Sequence, residues 1–206
     1  MKVQYKQFTQ KDSKALENII RKTWGYDNFC SPKVAQRLAR VYLSSCLIGQ
    51  TQNLVATVNN VPAGIIIGKK SDTKKLNPIY KMKFIAAVIS LYATKEGRAV
   101  TKVFAKIEEI DEKLLKESAV DYMGEICFFV VDKNFRSLGI GKTLFESMVY
   151  NMKNEGVKNF FLFTDTTCNY GFYEHFGLVR KGESREVLAS NGEKREINFY
   201  IYEYSI

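Results

Sequence analysis

The sequence predicts an α/β protein with a mixed sheet and helices on both faces. Three observations carry this. The C-terminal half alternates strand and helix patterns, which calls for crossover connections. The stretch DYMGEICFFVVD, 121–132, holds six apolar residues in a row, as a strand buried on both faces does. Two turn signals, Asn59-Asn60 and Asn191-Gly192, mark antiparallel hairpins at either end of the chain.

The elements follow in order. Residues 3–8 alternate and read as a strand. Residues 9–25 read as a helix, with Thr9 or Ser13 as its cap, Leu16, Ile19, Ile20 and Trp24 at helical spacing, and Gly25 as its stop. Ser31-Pro32 opens a second helix, whose apolar face is Val34, Leu38, Val41 and Tyr42. Two β-rich runs around Asn59-Asn60 make a hairpin over 53–70. A helical insertion then interrupts the pattern at 71–119: a polar connector, then two helices whose apolar stripes pack into the core. The second helix carries Val100, Val103, Phe104, Ile107, Leu114 and Leu115 on one side, with charges opposite. The strand at 121–132 leads through a glycine turn, 136–141, into an amphipathic helix ended by Gly156. A second buried strand, 157–165, a short helix, 168–177, and a final strand pair around Asn191-Gly192 complete the order. It reads as one domain over 1–206.

Composition narrows the function. Hydrophobic content of 46% with 13% aromatics supplies a folded core and excludes disorder. The N-terminus lacks the apolar run of a signal peptide, and the apolar stretch at 84–92 is far too short to span a bilayer. A cytoplasmic protein without membrane partners is therefore expected, with reduced thiols at Cys30, Cys46, Cys127 and Cys168. Those four cysteines are dispersed and His175 is the only histidine, so no metal is expected. Cys127 reads as small apolar packing rather than a nucleophile. A net charge of +9 favours anionic partners. The lysines are scattered, which argues for a basic surface attracting an anionic cofactor rather than for a nucleic-acid groove.

The glycine turn is the most specific local signal. In NFRSLGIGKTLF, 134–145, a Walker A loop would need glycine at 136, where Arg136 stands. A dinucleotide fingerprint would need a third glycine where Leu144 stands. What remains is a helix N-terminus with free N–H groups, two glycines that admit an anion to the backbone, and the charges of Arg136 and Lys142. That combination reads as a pyrophosphate cradle.

Arg136-Ser137-Leu138-Gly139-Ile140-Gly141 resembles the R/Q-x-x-G-x-G/A acetyl-CoA signature of the GNAT superfamily of N-acetyltransferases. Downstream, Asn169, Tyr173 and Phe176-Gly177-Leu178 resemble the family's N-x-x-x-Y-x-x-x-G-F block, with Leu178 in the place of the usual Phe. The resemblance covers about 121–180, and it implies a GNAT-like acyl-CoA N-acyltransferase fold elaborated by the 71–119 insertion.

It also implies a mechanism. Backbone N–H groups from Leu138 to Thr143, including Ile140, Gly141 and Lys142, would hold the CoA pyrophosphate, with Arg136 and Ser137 leading in. The strand before the turn would splay from its neighbour and offer Phe129, Val130 and Val131 to the pantetheine arm. The Phe129 N–H would stabilise the developing oxyanion, a role worth roughly 3 kcal/mol per donor. Asn169 would contact CoA, or cap a helix. Tyr173 would protonate the departing thiolate, with Tyr170 as the fallback and aromatic packing as the plain alternative. Glu125, 11 residues before Arg136, would be the base, or else a carboxylate salt-bridged at a strand end.

The implied reaction is direct transfer of an acetyl group from acetyl-CoA, the co-substrate, to a primary amine, in a ternary complex without metal. The acceptor pocket is expected from Trp24, Tyr26, Asp27 and the hairpin near Val61, with the 71–119 insertion as a further candidate, and a homodimer is left open. Two competing functions are a non-catalytic acyl-CoA sensor on the same fold and a nucleic-acid-binding module.

Overall fold

The computed structural model describes all residues except 74–75 and 191–192. Its seven strands form one sheet in the order β1-β2-β3-β4-β5-β7-β6. They are β1 (Val3–Lys6), β2 (Gln52–Val58), β3 (Val61–Lys70), β4 (Gly124–Val131), β5 (Asn159–Asp165), β6 (Val179–Ser190) and β7 (Glu193–Ser205). All neighbours run antiparallel except β4 and β5. Six helices cover the sheet: α1 (Ser13–Thr23), α2 (Pro32–Ile48), α3 (Pro78–Tyr92), α4 (Lys95–Ser118), α5 (Ile140–Asn154) and α6 (Gly171–His175). The mixed α/β architecture expected from the sequence is the one observed.

Local signals placed most elements. Asn59 and Asn60 both adopt left-handed backbone, φ 50° and 67°, and close the β2–β3 hairpin. Pro32 and Pro78 open α2 and α3 at a position whose N–H needs no partner. The helix after the glycine turn starts at Ile140, two residues before the Lys142 start suggested by the sequence, because Gly139 itself takes the N-cap position. The Asn191-Gly192 turn lies outside the described residues.

Three apolar clusters hold the layers together. Leu16, Ile20, Leu38 and Leu43 of α1 and α2 pack against Ile65, Ile67, Phe128 and Val130 on one face. Ile140, Leu144, Phe145, Met148 and Met152 of α5 pack against Ala56, Ile66 and Phe160 on the other. Ile110 and Leu114 of α4 close over Phe161, Phe199 and Ile201. Gly68 makes the second cluster possible, since a Cβ there would sit 2.6 Å from Met152 Cε and 2.8 Å from Met148 Sδ.

The insertion is two different objects. α4 buries its stripe as expected, through Val100, Ile110 and Leu114. α3 buries only Ala87 and Leu91, and much of its apolar surface faces outward.

The departure that matters lies in β4. Ile67 pairs with Phe128 and Gly68 with Ile126, so Cys127 is an extra residue, a β-bulge. The bulge turns Cys127 and Phe128 to the same face, toward α1 and α2. Phe129 and Val131 are thereby directed to the α5 face. β4 pairs with β5 only at Gly124↔Phe160 and Glu125↔Phe161. β5 meanwhile stays paired with β7 as far as Asp165↔Phe199. The two parallel strands therefore splay, leaving Ile126 to Val131 of β4 without a β5 partner. β4 is accordingly not buried on both faces along its length: its burial alternates, with Phe129 and Val131 half-exposed.

Candidate active site

The splay opens a cleft of about 610 Å³. β4 supplies Phe129, Val130 and Val131, and the glycine turn supplies Arg136, Ser137, Gly139, Ile140, Gly141 and Lys142. Asn169 and Tyr173 come from the far side, and Trp24 from the end of α1. Residues more than 40 apart in sequence thus meet because β5 leads one wall away from β4.

The turn is built to present N–H groups. Ser137 and Gly139 are both left-handed, φ 72° and 71°, so consecutive amides curve inward as a nest. No side chain caps α5. Thr143 N–H bonds back to the Gly139 carbonyl at 3.0 Å. The N–H groups of Leu138, Gly139, Ile140, Gly141 and Lys142 donate to no acceptor among the described residues. These orphan donors carry the positive end of a 15-residue helix. Open space surrounds the Gly139 backbone, with nothing within 4 Å of where a Cβ would stand. Leu138 and Thr143 are not among the lining side chains, and Leu138 is exposed, so of these two only the backbone could serve a ligand here.

Tyr173 is held by rings. Its centroid lies 5.6 Å from Phe172, 6.1 Å from Tyr202 and 6.4 Å from Phe129. Its hydroxyl has no hydrogen-bond partner among the described residues, and the residue lines the cleft. Burial, with Cys168 and Asp165 nearby, pushes this phenol well above its ordinary value, so it stays protonated and able to donate. Tyr170, the fallback, is engaged elsewhere: its ring packs 5.3 Å from Tyr200 and 5.6 Å from the Arg180 guanidinium carbon.

Asn169 does not cap α6 with its side chain, since Tyr170 occupies the cap and no side-chain bond is made there. Only the Asn169 carbonyl is used, accepting from Phe172 N–H at 3.1 Å, and the carboxamide is left to the cleft. Cys168 also lines the cleft, but burial and Asp165 raise its thiol, which disfavours the thiolate. Cys127 is raised further by its contact with Cys46 and by burial. His175 sits at the end of α6 against Phe176, outside the cleft lining.

Glu125 is not brought to the cleft wall. Its carboxylate pairs with Lys69 Nζ at 2.7 Å, across the β3–β4 ladder. The salt-bridged reading of this residue thus describes its contacts in the structure. Of the expected acceptor wall only Trp24 lines the cleft, while also packing on Tyr42 and Phe128 at 5.7 and 5.8 Å. Tyr26 is buried, Asp27 is ion-paired to Arg21 at 2.7 Å, and Val61 is exposed at the hairpin tip.

Sequence reasoning missed Asp111. It lies among the core-facing residues of α4, between Ile107 and Leu114, where the pattern had suggested charges only on the opposite side. Burial, then the charges of Asp165, Glu125 and Glu108, raise its carboxyl to about 7. The only signal available beforehand was a carboxylate within an apolar stripe. Among the described residues no group of three His, Cys, Asp or Glu side chains is arranged to hold a metal.

A splayed parallel pair, a glycine turn opening a helix, and a cleft joining the two define the acetyltransferase class of fold. Residues 101–178 match the family model described as the acetyltransferase (GNAT) family. No curated protein sequence matches the chain. Among solved structures it is similar to a GNAT-family acetyltransferase from Streptococcus pneumoniae, with 16% identity, all of both chains covered and a TM-score of 0.54. It is similar also to the ribosomal-protein-S18-alanine N-acetyltransferase from Escherichia coli, with 12% identity, 100% of this chain and 96% of that one covered, and a TM-score of 0.56. A third is the PaiA N-acetyltransferase from Thermoplasma acidophilum, solved with coenzyme A, with 15% identity, both chains fully covered and a TM-score of 0.51. At these identities the similarity is one of fold.

Proposed function

We propose that the protein is an N-acetyltransferase that uses acetyl-CoA to acetylate a primary amine directly, within a ternary complex. One observation carries the reading: the start of α5 with its unpartnered amides, the free edge of β4 and Tyr173 all line one cleft.

Acetyl-CoA supplies the activated acyl group, as a thioester. The amides from Leu138 to Lys142, aided by Arg136 and the Lys142 charge, bind its pyrophosphate. The unpaired edge of β4 at Phe129 to Val131 binds the pantetheine arm as an added strand would, and the Phe129 N–H stabilises charge developing on the carbonyl oxygen. Asn169 donates from the opposite wall. Tyr173, kept protonated by burial, gives its proton to the departing sulfur. The amine loses its proton through water to a carboxylate, Glu125 of β4 or Asp111 of α4. A carboxyl near pH 7 is suited to accept a proton at neutral pH.

The test is thiol release from acetyl-CoA across a panel of amines: polyamines, amino acids, peptide N-termini and protein lysines. Amine-dependent release that Tyr173→Phe suppresses, with CoA binding retained, is expected. CoA binding with no turnover on any amine overturns the reading in favour of an acyl-CoA sensor.

A further inference from the structure

The outer side of α3 presents an apolar face that none of the described residues covers. Its inner residues Tyr80, Ala87 and Leu91 pack inward. On the opposite side Ile79, Met82, Ile85, Ile89 and Tyr92 are all exposed, Met82 by 71% and Ile89 by 65%. At 3.6 residues per turn, positions 82, 85, 89 and 92 run in a line along the helix. A soluble surface seldom carries a contiguous apolar stripe about three turns long without a use for it.

Charge decides what covers this stripe. The sequence of α3, PIYKMKFIAAVISLY, contains no acidic residue. Helical geometry sets Lys81 at one edge of the stripe, while Lys83 lies further round the helix and bonds Gln10 Oε1. Arg98, on α4, donates to the Tyr92 carbonyl at 2.8 Å and brings a guanidinium to the C-terminal end. The nearby carboxylate of Glu96 is turned away, bonded to Ser31 N and Oγ at 2.6 and 2.5 Å. The stripe is therefore framed by cations, on a chain of net charge +9.

A second copy of this chain would bring those cations against one another with no acidic partner on either α3. An anionic bilayer meets both demands. The apolar arc enters the headgroup–acyl boundary, the Lys81 stem lies along it with its ammonium group at the phosphates, and Tyr92 sits at interface depth.

We propose that α3 is a membrane-surface helix, docking the protein on anionic phospholipid by the face of Met82, Ile85, Ile89 and Tyr92, flanked by Lys81 and, at its C-terminal end, Arg98. It lies on the surface and does not span, since no helix among the described residues is long and apolar enough to cross a membrane. It revises the sequence expectation of a protein without membrane contact. No α3 residue lines the catalytic cleft, so docking leaves that cleft accessible.

The experiment is co-sedimentation of the full chain with vesicles of phosphatidylcholine alone or mixed with phosphatidylglycerol, at low and high salt. Expected is binding to the mixed vesicles only, weakened by salt and by Lys81→Glu, and lost in a Met82→Ser, Ile85→Ser, Ile89→Ser variant. These three side chains point outward, so the variant should retain its circular dichroism and CoA binding, which separates lost docking from lost folding. Wild-type protein that stays in the supernatant with mixed vesicles overturns the proposal, as does a triple variant that still sediments. A wild-type dimer in sedimentation velocity that the triple variant converts to monomer, without vesicle binding, overturns it in favour of self-association.

Discussion

The rings of Phe129 on β4 and Tyr173 on α6 meet edge to face across the splay, their centroids 6.4 Å apart. One ring belongs to the strand that follows β3, the other to the helix that follows β5. The contact therefore ties the two walls of the cleft together at the residues proposed to carry the donor hydroxyl and the oxyanion-binding N–H.

Tyr173→Phe keeps the ring and its packing on Phe172 and Tyr202, and removes only the hydroxyl. We expect kcat to fall by roughly 10²–10⁴-fold, the usual range for a general acid. KM for acetyl-CoA should stay within about twofold, because the amides that hold the pyrophosphate are untouched. Steady-state kinetics with the best amine separates the two, and an equal loss in Tyr170→Phe would point to packing instead.

Gly139→Ala has room for its methyl group but not the backbone for it, at φ 71°. The left-handed conformation costs a residue with a Cβ about 1–2 kcal/mol. Because Gly139 orients the orphan amides, part of that cost should appear as weaker CoA binding, about three- to tenfold by calorimetry, with kcat little changed at saturation.

The Asp111 carboxyl, near 7 in the fold against an ordinary 3.8, makes a pH prediction. Its folded state holds the proton more tightly than the unfolded chain does. The associated stability is complete below about pH 4 and is lost as pH rises through 7, by at most about 4 kcal/mol. Thermal melts of the wild type should therefore fall between pH 5 and 8 more steeply than those of Asp111→Asn. If Asp111 also accepts the amine proton, the rise of kcat/KM near pH 7 disappears in Asp111→Asn and survives in Glu125→Gln; the reverse pattern assigns the base to Glu125.

Arg180 fixes the helix that carries Tyr173. Its guanidinium carbon lies 4.1 Å from the Tyr200 centroid, and it donates to Tyr202 Oη at 3.1 Å and to Glu174 at 2.8 Å. Tyr202 Oη also donates to Glu174, at 2.6 Å. Arg180→Met should cost about 1–3 kcal/mol of stability, read as a lower denaturant midpoint. It should lower kcat more than it raises KM for acetyl-CoA, since α6 moves while the glycine turn does not.

Much of this protein was legible residue by residue. Asn59-Asn60 closes a hairpin because both tolerate positive φ. Gly139 and Gly141 open a helix whose first amides remain free, and Arg136 in place of a glycine rules out a nucleoside-triphosphate loop. Asn169 and Tyr173 follow at the interval that places them on the next βα unit. Each of these depends on backbone preferences or spacing within a few residues, which a linear sequence records directly.

What only the tertiary structure decided depends on pairing between distant segments. The bulge at Cys127 exists because β4 must stay in register with β3, and it turns Phe129 toward the cleft. The cleft exists because β5 follows β7 and leaves β4. Lys69, reached through the β3–β4 ladder, holds Glu125 off the cleft wall, and the packing of α4 brings Asp111 among other carboxylates. The outward apolar face of α3 has the same origin: the sequence determines that the helix is apolar nearly all round, but which half is buried is set by where α2 lies against it.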